Sequence, residues 1–331
     1  MKDIARATGF SVNTVSKALK DSPTISVATK AQIREKAREI GYIGDGIAGA
    51  LRSGVTKTIA IILGDISNPH FSIMVKEIEK RVREDGYSTF ILNTEEDKEL
   101  EHAAIISALG KSVDGIIICP CQQNSENILF LQNTDVQFVL IGRRFKEIMT
   151  DYVVCDDRQG GFLATEHLLK LGHKRIAFFG GPDYISSTQE RLRGYQDALF
   201  AYNALYDPAI VFNLPLLTSE RNGKLEQTLS QTANCTAYFC FSDLIAWEVV
   251  ACLQEKGLKV PKDISIVGFD NIQSKFSFPF PLTSIRTSKS KMSMTAAEIL
   301  LEKMKTRGTS GEFRQIVIPT ELVERNSSRG I

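Results

Sequence analysis

Short apolar segments alternate with longer amphipathic helical patterns along most of this chain of 331 residues. The segments have the length of strands, and the patterns between them have the length and period of helices. This order predicts an α/β fold of doubly wound parallel sheets, because parallel strands are joined by crossover helices. Seven strands are enough for two lobes. Predicted strands cover 58–63, 89–92, 115–119, 138–141, 175–179, 237–241 and 264–267. Predicted helices cover about 71–85, 97–109, 158–171, 188–203, 220–230, 243–256 and 288–305.

The composition is ordinary for a soluble globular protein, with 43% hydrophobic and 24% charged residues. These values exclude a disordered, collagen-like or coiled-coil chain. No apolar run approaches the roughly 20 residues that a membrane helix needs. The opening sequence MKDIARATGF also lacks the apolar core of a secretory signal. We therefore expect a cytoplasmic protein with no membrane partner.

The sequence carries no recognisable catalytic or metal-binding constellation. None of the six cysteines forms a CxxC pair, and no histidine lies at ligand spacing from them. The chain also lacks a P-loop, a GxSxG elbow and an HExxH helix. We predict no catalytic residue, no metal and no cofactor, although His70 follows a strand and could face a cleft.

The N-terminal end is basic. Residues 1–57 contain ten Lys and Arg against five Asp and Glu, which gives this end a charge of +5 in a chain of net charge +1. A small basic head on a mildly acidic body is typical of proteins that bind a polyanion.

Two short helical patterns in this basic end are joined by a tight turn. The first runs over residues 3–8 and stops at Gly9, and Ser11 is a good N-cap for the second, from Val12 to about Lys20. Val15 lies on the inward stripe of the second pattern. The spacing predicts a helix-turn-helix, whose second helix enters the major groove of DNA.

The outward face of the second helix has the chemistry to read DNA. Asn13 can hydrogen-bond a base edge, Val12 can touch a thymine methyl, and Lys17 can reach guanine or phosphate. The hydroxyl residues of this region are suitable phosphate donors. They are Ser11, Thr14 and Ser16.

A third helical pattern covers about 27–40 and ends before Gly41. The following residues 44–49 spell G-x-G-x-x-G, the fingerprint of dinucleotide-binding turns. That interpretation requires a preceding strand, and here a helix precedes the motif. We therefore interpret this segment as a linker to the larger body.

Several motifs occur together in a characteristic order. They are KDIARATGFSVNTVSKALK at 2–20, ISVATKAQIREKAREIGYI at 25–43, RLRGY at 191–195, GFDN at 268–271 and ERNSS at 324–328. In this order they resemble the lactose-repressor/galactose-repressor (LacI/GalR) family of bacterial regulators over essentially the whole chain.

The resemblance implies a helix-turn-helix head at 1–44, a hinge at 45–56 and a periplasmic-binding-protein-like core at 57–331. The first lobe would comprise about 57–156 and 287–315, and the second about 157–286 and 316–331. A homodimer would bind a pseudo-palindromic operator, with Leu51 wedged into the minor groove beside Ala48. The DNA-contacting residues implied in this way, together with those argued above, are Ser11, Val12, Asn13, Thr14, Ser16, Lys17, Thr29, Tyr42, Ala48 and Leu51.

Ligands of doubly wound sheets bind beyond the carboxyl ends of the strands. The residues that follow the predicted strands offer an aromatic face, guanidinium forks and a carboxylate, a combination that suits a sugar. The family resemblance adds that positions matching Phe71, Arg191 and Asp270 commonly contact the effector. A structural salt bridge is the alternative role for Arg191 and Asp270. The predicted effector-binding residues are Asn68, Phe71, Arg143, Ser187, Arg191, Ser242 and Asp270.

The predicted function is that of a DNA-binding transcriptional regulator, expected to be a repressor, of sugar uptake or metabolism genes. A small effector, a sugar or sugar phosphate, would bind between the lobes and change the affinity for the operator. Whether it releases or recruits DNA stays open. One alternative is a global catabolite-type regulator controlled by a partner protein. A weaker alternative is a sugar-binding or sugar-acting α/β protein without a DNA function.

Overall fold

The computed structural model describes residues 1–42, 54–232, 234–275, 280–306 and 312–331, except for the side chains of Thr218, Glu220 and Asn222. The chain separates into two compact units, 1–56 and 57–331. Residues 45–53 of the predicted hinge lie outside the described residues. The predicted DNA contacts Ala48 and Leu51 are among them.

The small unit has a core of its own, formed where three short helices pack together. The first helix ends at Gly9, whose φ of 76° lies in the left-handed region that glycine adopts readily. Ser11 caps the second, because its hydroxyl accepts a hydrogen bond from the Thr14 backbone N–H at 3.1 Å. The third helix was predicted to extend to about Ile40, but it ends at Glu39, and Ile40 is exposed. The helices are α1 (Lys2–Thr8), α2 (Val12–Leu19) and α3 (Val27–Glu39). The buried core residues are Ile4, Val15, Ala18, Ile33 and Ala37.

The described part of residues 57–331 forms two six-stranded sheets. In the first sheet all paired strands are parallel, in the order β11-β5-β4-β3-β1-β2. Alternate residues of its strand β1 enter different apolar clusters, with Ile59 and Ile61 on one face and Ala60 and Ile62 on the other. Apolar layers therefore cover both faces, as in a doubly wound sheet. Its strands are β1 (Thr58–Leu63), β2 (Ser88–Asn93), β3 (Gly115–Ile118), β4 (Gln137–Ile141), β5 (Tyr152–Cys155) and β11 (Gln315–Ile318).

The second sheet has the order β12-β10-β9-β8-β6-β7. Its pairs are parallel except for the edge pair β10–β12, which is antiparallel. The predicted α/β class with two doubly wound sheets is confirmed. The strands are β6 (Ile176–Gly180), β7 (Val211–Asn213), β8 (Ala237–Cys240), β9 (Ser265–Asp270), β10 (Thr283–Thr287) and β12 (Thr320–Val323).

The helices that follow these strands agree with the predicted patterns within about two residues at each end. The one addition among the described helices is α6, a short helix that the apolar pattern did not reveal. They are α4 (Pro69–Glu84), α5 (Lys98–Gly110), α6 (Glu126–Gln132), α7 (Asp157–Lys170), α8 (Ser186–Ala201), α9 (Thr218–Ser230), α10 (Asp243–Glu255) and α11 (Lys289–Thr306).

Within the described ranges the chain passes from one sheet to the other at three points, next to Asp156, Ser288 and Pro319. The third point follows β11, which pairs along its whole length with β5 of the first sheet.

Helices α7 and α8 approach each other closely at glycine residues. A Cβ atom at Gly161 of α7 would overlap the backbone carbonyl of Arg191 on α8. A Cβ atom at Gly194 of α8 would overlap the carbonyl of Arg158 and lie 2.6 Å from the backbone nitrogen of Phe162. Backbone atoms cannot rotate away, so any larger residue must push the helices apart.

We expect Gly194→Ala to lower the free energy of unfolding by about 1–3 kcal/mol, the usual cost of overpacking a core. Gly223 in α9 is the matched control, because a Cβ atom there meets nothing within 4 Å. Gly223→Ala should leave stability unchanged or raise it by up to about 1 kcal/mol. Urea unfolding followed by circular dichroism measures both changes, and equal stabilities for the two variants would contradict the close contact.

Candidate functional site

The carboxyl ends of strands from both sheets meet at one pocket, and all seven predicted effector-binding residues line it. They reach it from the N-terminal ends of α4 and α10, the loop after β4, the first two turns of α8 and the end of β9. These residues are Asn68, Phe71, Arg143, Ser187, Arg191, Ser242 and Asp270.

On the first-lobe side, Arg143 is fixed by a carboxylate. Its two terminal nitrogens donate to the two carboxylate oxygens of Glu96 at 2.6 and 2.9 Å, and one of them also donates to the Pro120 carbonyl at 2.9 Å. Glu96 follows Glu95 in a turn where both have left-handed φ, 55° and 48°. Non-glycine residues seldom adopt this conformation, so the turn is shaped to hold Glu96 against Arg143.

On the second-lobe side, Arg191 is buried and has several partners. Its Nε donates to Asp157 Oδ1 at 2.8 Å, and a terminal nitrogen donates to the Phe241 carbonyl. The guanidinium carbon also lies 3.6 Å from the ring centroid of Phe269 and 4.3 Å from that of Phe241. Arg191 thus lines the pocket while forming the structural ion pair that was the alternative to ligand binding.

Asp270 lies between His70 and Arg191 at the end of β9. Its Oδ1 is 3.3 Å from His70 Nδ1 and 3.9 Å from a terminal nitrogen of Arg191. Burial acts to raise the pKa of Asp270, but His70, Arg191 and Lys289 together hold it below its ordinary value. The carboxylate is therefore ionised and able to accept hydrogen bonds.

Asn68 and Ser242 act as N-caps as well as pocket residues. Asn68 Oδ1 accepts from the His70 backbone N–H at 3.0 Å, and Ser242 Oγ accepts from the Ile245 N–H at 3.3 Å. These caps use acceptor oxygens only, so the amide group of Asn68 and the hydroxyl proton of Ser242 can still donate to a ligand.

The pocket is narrow, at about 60 Å³. Small-molecule sites typically measure about 300–1,000 Å³, so the pocket is too small for a sugar ring in this arrangement of side chains. Entry of such a ligand requires the lobes to move apart or the paired side chains to rearrange.

Beneath Asp270, the buried carboxyl of Asp243 anchors the corner after β9. The Ser284 hydroxyl donates to Asp243 Oδ1 at 2.5 Å, and the Ile272 N–H donates to Oδ2 at 2.8 Å. Ser284 Oγ in turn accepts from the Asn271 N–H at 3.0 Å. This network supports the left-handed φ of Asp270 (98°) and Asn271 (50°). Burial and the charge of Asp270 raise the pKa of Asp243 to about 7.

Other pocket residues were not among those predicted. Glu96 and Phe241 also lie at strand ends, so the strand-end rule would have found both if it had been applied to every strand. Asp157, which is the partner of Arg191 rather than a residue of the pocket lining, follows β5, a strand that was not predicted. Arg221 lies within α9, where no sequence signal marks it; its guanidinium donates to both carboxylate oxygens of Glu248, at 2.6 and 2.7 Å.

In the small unit, the predicted DNA-contacting face of α2 is accessible. Ser11, Val12, Asn13 and Lys17 are exposed. The other predicted contacts are half-buried and partly engaged within the unit. Thr14 and Thr29 hydrogen-bond the hydroxyls of their capping serines, Ser16 is half-buried on α2, and Tyr42 packs against the helical core.

Among the described residues, no helix has both the length and the apolar character needed to cross a bilayer. The same residues contain no cluster of His, Cys, Asp and Glu side chains suited to hold a metal ion.

Two stretches of the chain match known family models. Residues 1–45 match the bacterial regulatory proteins of the lacI family, and residues 165–328 match the periplasmic binding protein-like domain. The HTH-type transcriptional repressor PurR of Aliivibrio salmonicida (strain LFI1238) is 31% identical over 328 residues, covering 99% of this chain and 98% of that one.

Solved structures show the same architecture. The lac repressor dimer bound to operator and the anti-inducer ONPF superposes with a TM-score of 0.85 at 23% identity, covering 99% of this chain and 98% of that one. A LacI family transcriptional regulator from Enterococcus faecium with bound ribose superposes with a TM-score of 0.72 at 28% identity, covering 83% and 99%.

The raised pKa of Asp243 predicts a pH-dependent stability. The stabilising contribution of its protonated carboxyl is complete below the ordinary pKa of 3.8 and is lost as the pH rises through about 7. Asp243→Asn mimics the protonated form. The free energy of unfolding of the wild type, measured relative to D243N, should therefore fall by up to about 1.4 kcal/mol per pH unit between about pH 4 and 7. Urea titrations at several pH values test this, and a constant difference would contradict it.

Proposed function

Since this chain belongs to the LacI family of bacterial regulatory proteins, we propose that a small neutral ligand, bound between its two lobes, controls how tightly it holds operator DNA. The chain is a DNA-binding transcriptional repressor of this family and not an enzyme. The proposal concerns the ligand class, the DNA contacts and the coupling between them.

The main support for a neutral ligand is that each arginine of the pocket is paired with a carboxylate. Arg143 binds Glu96, Arg191 binds Asp157, and Arg221 binds Glu248. A phosphorylated ligand would have to displace these carboxylates and leave them buried without partners, which is strongly unfavourable. Asp65 and Asp270 add further negative charge to the lining. A neutral ligand avoids both penalties, so we favour a sugar over a sugar phosphate.

The uncharged groups of the pocket suit a hydroxylated ring. Asn68, Ser187 and Ser242 supply donors and acceptors, and Phe71 supplies an apolar surface. One face of Phe241 is already covered by the Arg191 guanidinium. A sugar, which needs several polar partners and one apolar surface, uses this lining more fully than a planar base held between two rings. The ribose bound by the Enterococcus faecium relative is a ligand of the same class.

Coupling to DNA follows from the narrow pocket. Because the ligand enters only when the lobes rearrange, it binds one lobe arrangement more tightly than the other and shifts the population between them. In a homodimer, which we also propose, this shift changes the separation of the two heads on a pseudo-palindromic operator. The protein acts in the cytoplasm on double-stranded DNA.

Isothermal titration of the full chain with matched neutral and phosphorylated sugars tests the ligand class. Ribose, glucose and galactose are compared with ribose 5-phosphate, glucose 6-phosphate and galactose 6-phosphate, and two nucleobases represent planar neutral ligands. We expect at least one neutral sugar to bind at least tenfold more tightly than its phosphate, because each arginine is already neutralised.

Phe71→Ala serves as the site control and should abolish the heat of binding if the sugar occupies the pocket. Tighter binding of a phosphate, or binding of a nucleobase alone, would overturn the proposal. Binding of no small molecule at all would favour control by a partner protein.

Helix α2 is the element that we propose recognises bases of the operator. We propose that Asn13 reads a base edge, so Asn13→Ala should weaken binding to a selected operator by about 5- to 150-fold, the equivalent of about 1–3 kcal/mol. Binding to a scrambled duplex of equal length should change little, because that binding rests on phosphate contacts. Fluorescence anisotropy at fixed salt measures both affinities, using operator sites captured from random DNA by the wild-type chain.

Gln32→Ala is the matched control, since Gln32 is an exposed polar residue on α3 rather than α2. It should leave operator affinity within twofold of the wild type. Equal losses on operator and scrambled DNA for Asn13→Ala would rule out a base-reading role for Asn13.

A further inference from the structure

A second and much larger cavity opens beyond the narrow pocket. It measures about 760 Å³, which lies within the range of about 300–1,000 Å³ typical of small-molecule sites. The two spaces share a wall formed by Glu96 of the first lobe and Leu216 and Leu217 of the second. A ligand in the inner pocket that extends past this wall enters the outer cavity directly.

Both lobes line the outer cavity, as they do the inner pocket. Leu100 and Gln123 come from the first lobe, and Tyr184 and Asn213 from the second. The Tyr184 side chain is 42% exposed although it follows a buried strand. An aromatic ring in a cleft, flanked by an amide on each lobe, is a suitable surface for a sugar ring.

On the first-lobe side, several contacts hold the wall between the two spaces in place. The Glu96 carboxylate is held by Arg143, and its backbone carbonyl accepts a hydrogen bond from Gln123 Nε2 at 3.1 Å. The carboxylate also lies over Gly64, where a Cβ atom would overlap it. Two consecutive left-handed residues shape this turn, and such backbone often occurs at ligand clamps. Glu96 can thus present a fixed carboxylate edge to both spaces.

We propose that the outer cavity is a second sugar subsite and that the natural ligand is a neutral disaccharide or longer saccharide. One ring occupies the inner pocket, the linkage passes over Glu96, and the next ring packs on Tyr184 with its hydroxyls bonded to Gln123 and Asn213. The carboxylates of Glu95, Asp97 and Asp183 surround this cavity, and Lys224 is the one cation among the described residues of its lining. This balance of charge disfavours an anionic second unit. This inference rests on the proposed sugar-binding function.

The test is titration of the full chain with monosaccharides and with disaccharides that contain them: glucose with cellobiose and maltose, and galactose with lactose and melibiose. We expect at least one disaccharide to bind at least tenfold more tightly than either of its component monosaccharides. Tyr184→Ala should remove most of this gain and change the monosaccharide affinity much less. Asn213→Ala, which leaves the aromatic surface intact, should remove part of the gain in disaccharide affinity. This variant provides the test if Tyr184→Ala folds poorly.

Tyr202→Ala is the matched control. Tyr202 is also a partly exposed tyrosine, at 40%, but it lies at the end of α8, where its hydroxyl donates to Glu166. It should alter neither affinity. If monosaccharides bind and no disaccharide binds more tightly, or if Tyr184→Ala weakens both classes equally, the outer subsite is wrong and the proposed function stands. If no neutral sugar of either size binds, both proposals fail.

Discussion

Buried guanidinium groups, each fixed by a carboxylate, set the character of the cleft. A lone charge at such depth is strongly unfavourable, so Arg143 and Arg191 require the partners that Glu96 and Asp157 provide. The pairs hold side chains from separate elements in one arrangement, and they neutralise the positive charge of the guanidinium groups. The narrowness of the pocket depends on this pairing, and so do the uncharged ligand and the lobe movement that we propose.

Much of the fold could be predicted from the sequence, because β1 and the other central strands are apolar runs with the length of a strand. Each strand that was not predicted lacks a clear apolar pattern for a local structural reason. β7 has three residues at a sheet edge, β11 and β12 are short edge strands with exposed polar positions, and β5 and β10 directly precede the points where the chain changes sheets. Such strands are defined by their neighbours in space rather than by an apolar pattern.

The cleft residues could be predicted because parallel strands bring their carboxyl ends to one edge. Their pairing could not. Glu96 and Arg143 are 47 residues apart, and Asp157 and Arg191 are 34 apart. Nothing in the local sequence of either residue identifies its partner. The outer cavity escaped prediction for the same reason, since the loops after β2, β3, β6 and β7 form it together only once both lobes are folded.

The glycine contact between α7 and α8 has a mechanical consequence. Gly161 touches the backbone of Arg191, and α7 begins at the point where the chain leaves the first sheet. No side chains separate the two helices there, so no change of side-chain rotamer can accommodate a displacement. Because backbone packs directly on backbone, any shift of the Arg191 backbone has to be matched by a shift of α7, which begins next to the connection at Asp156.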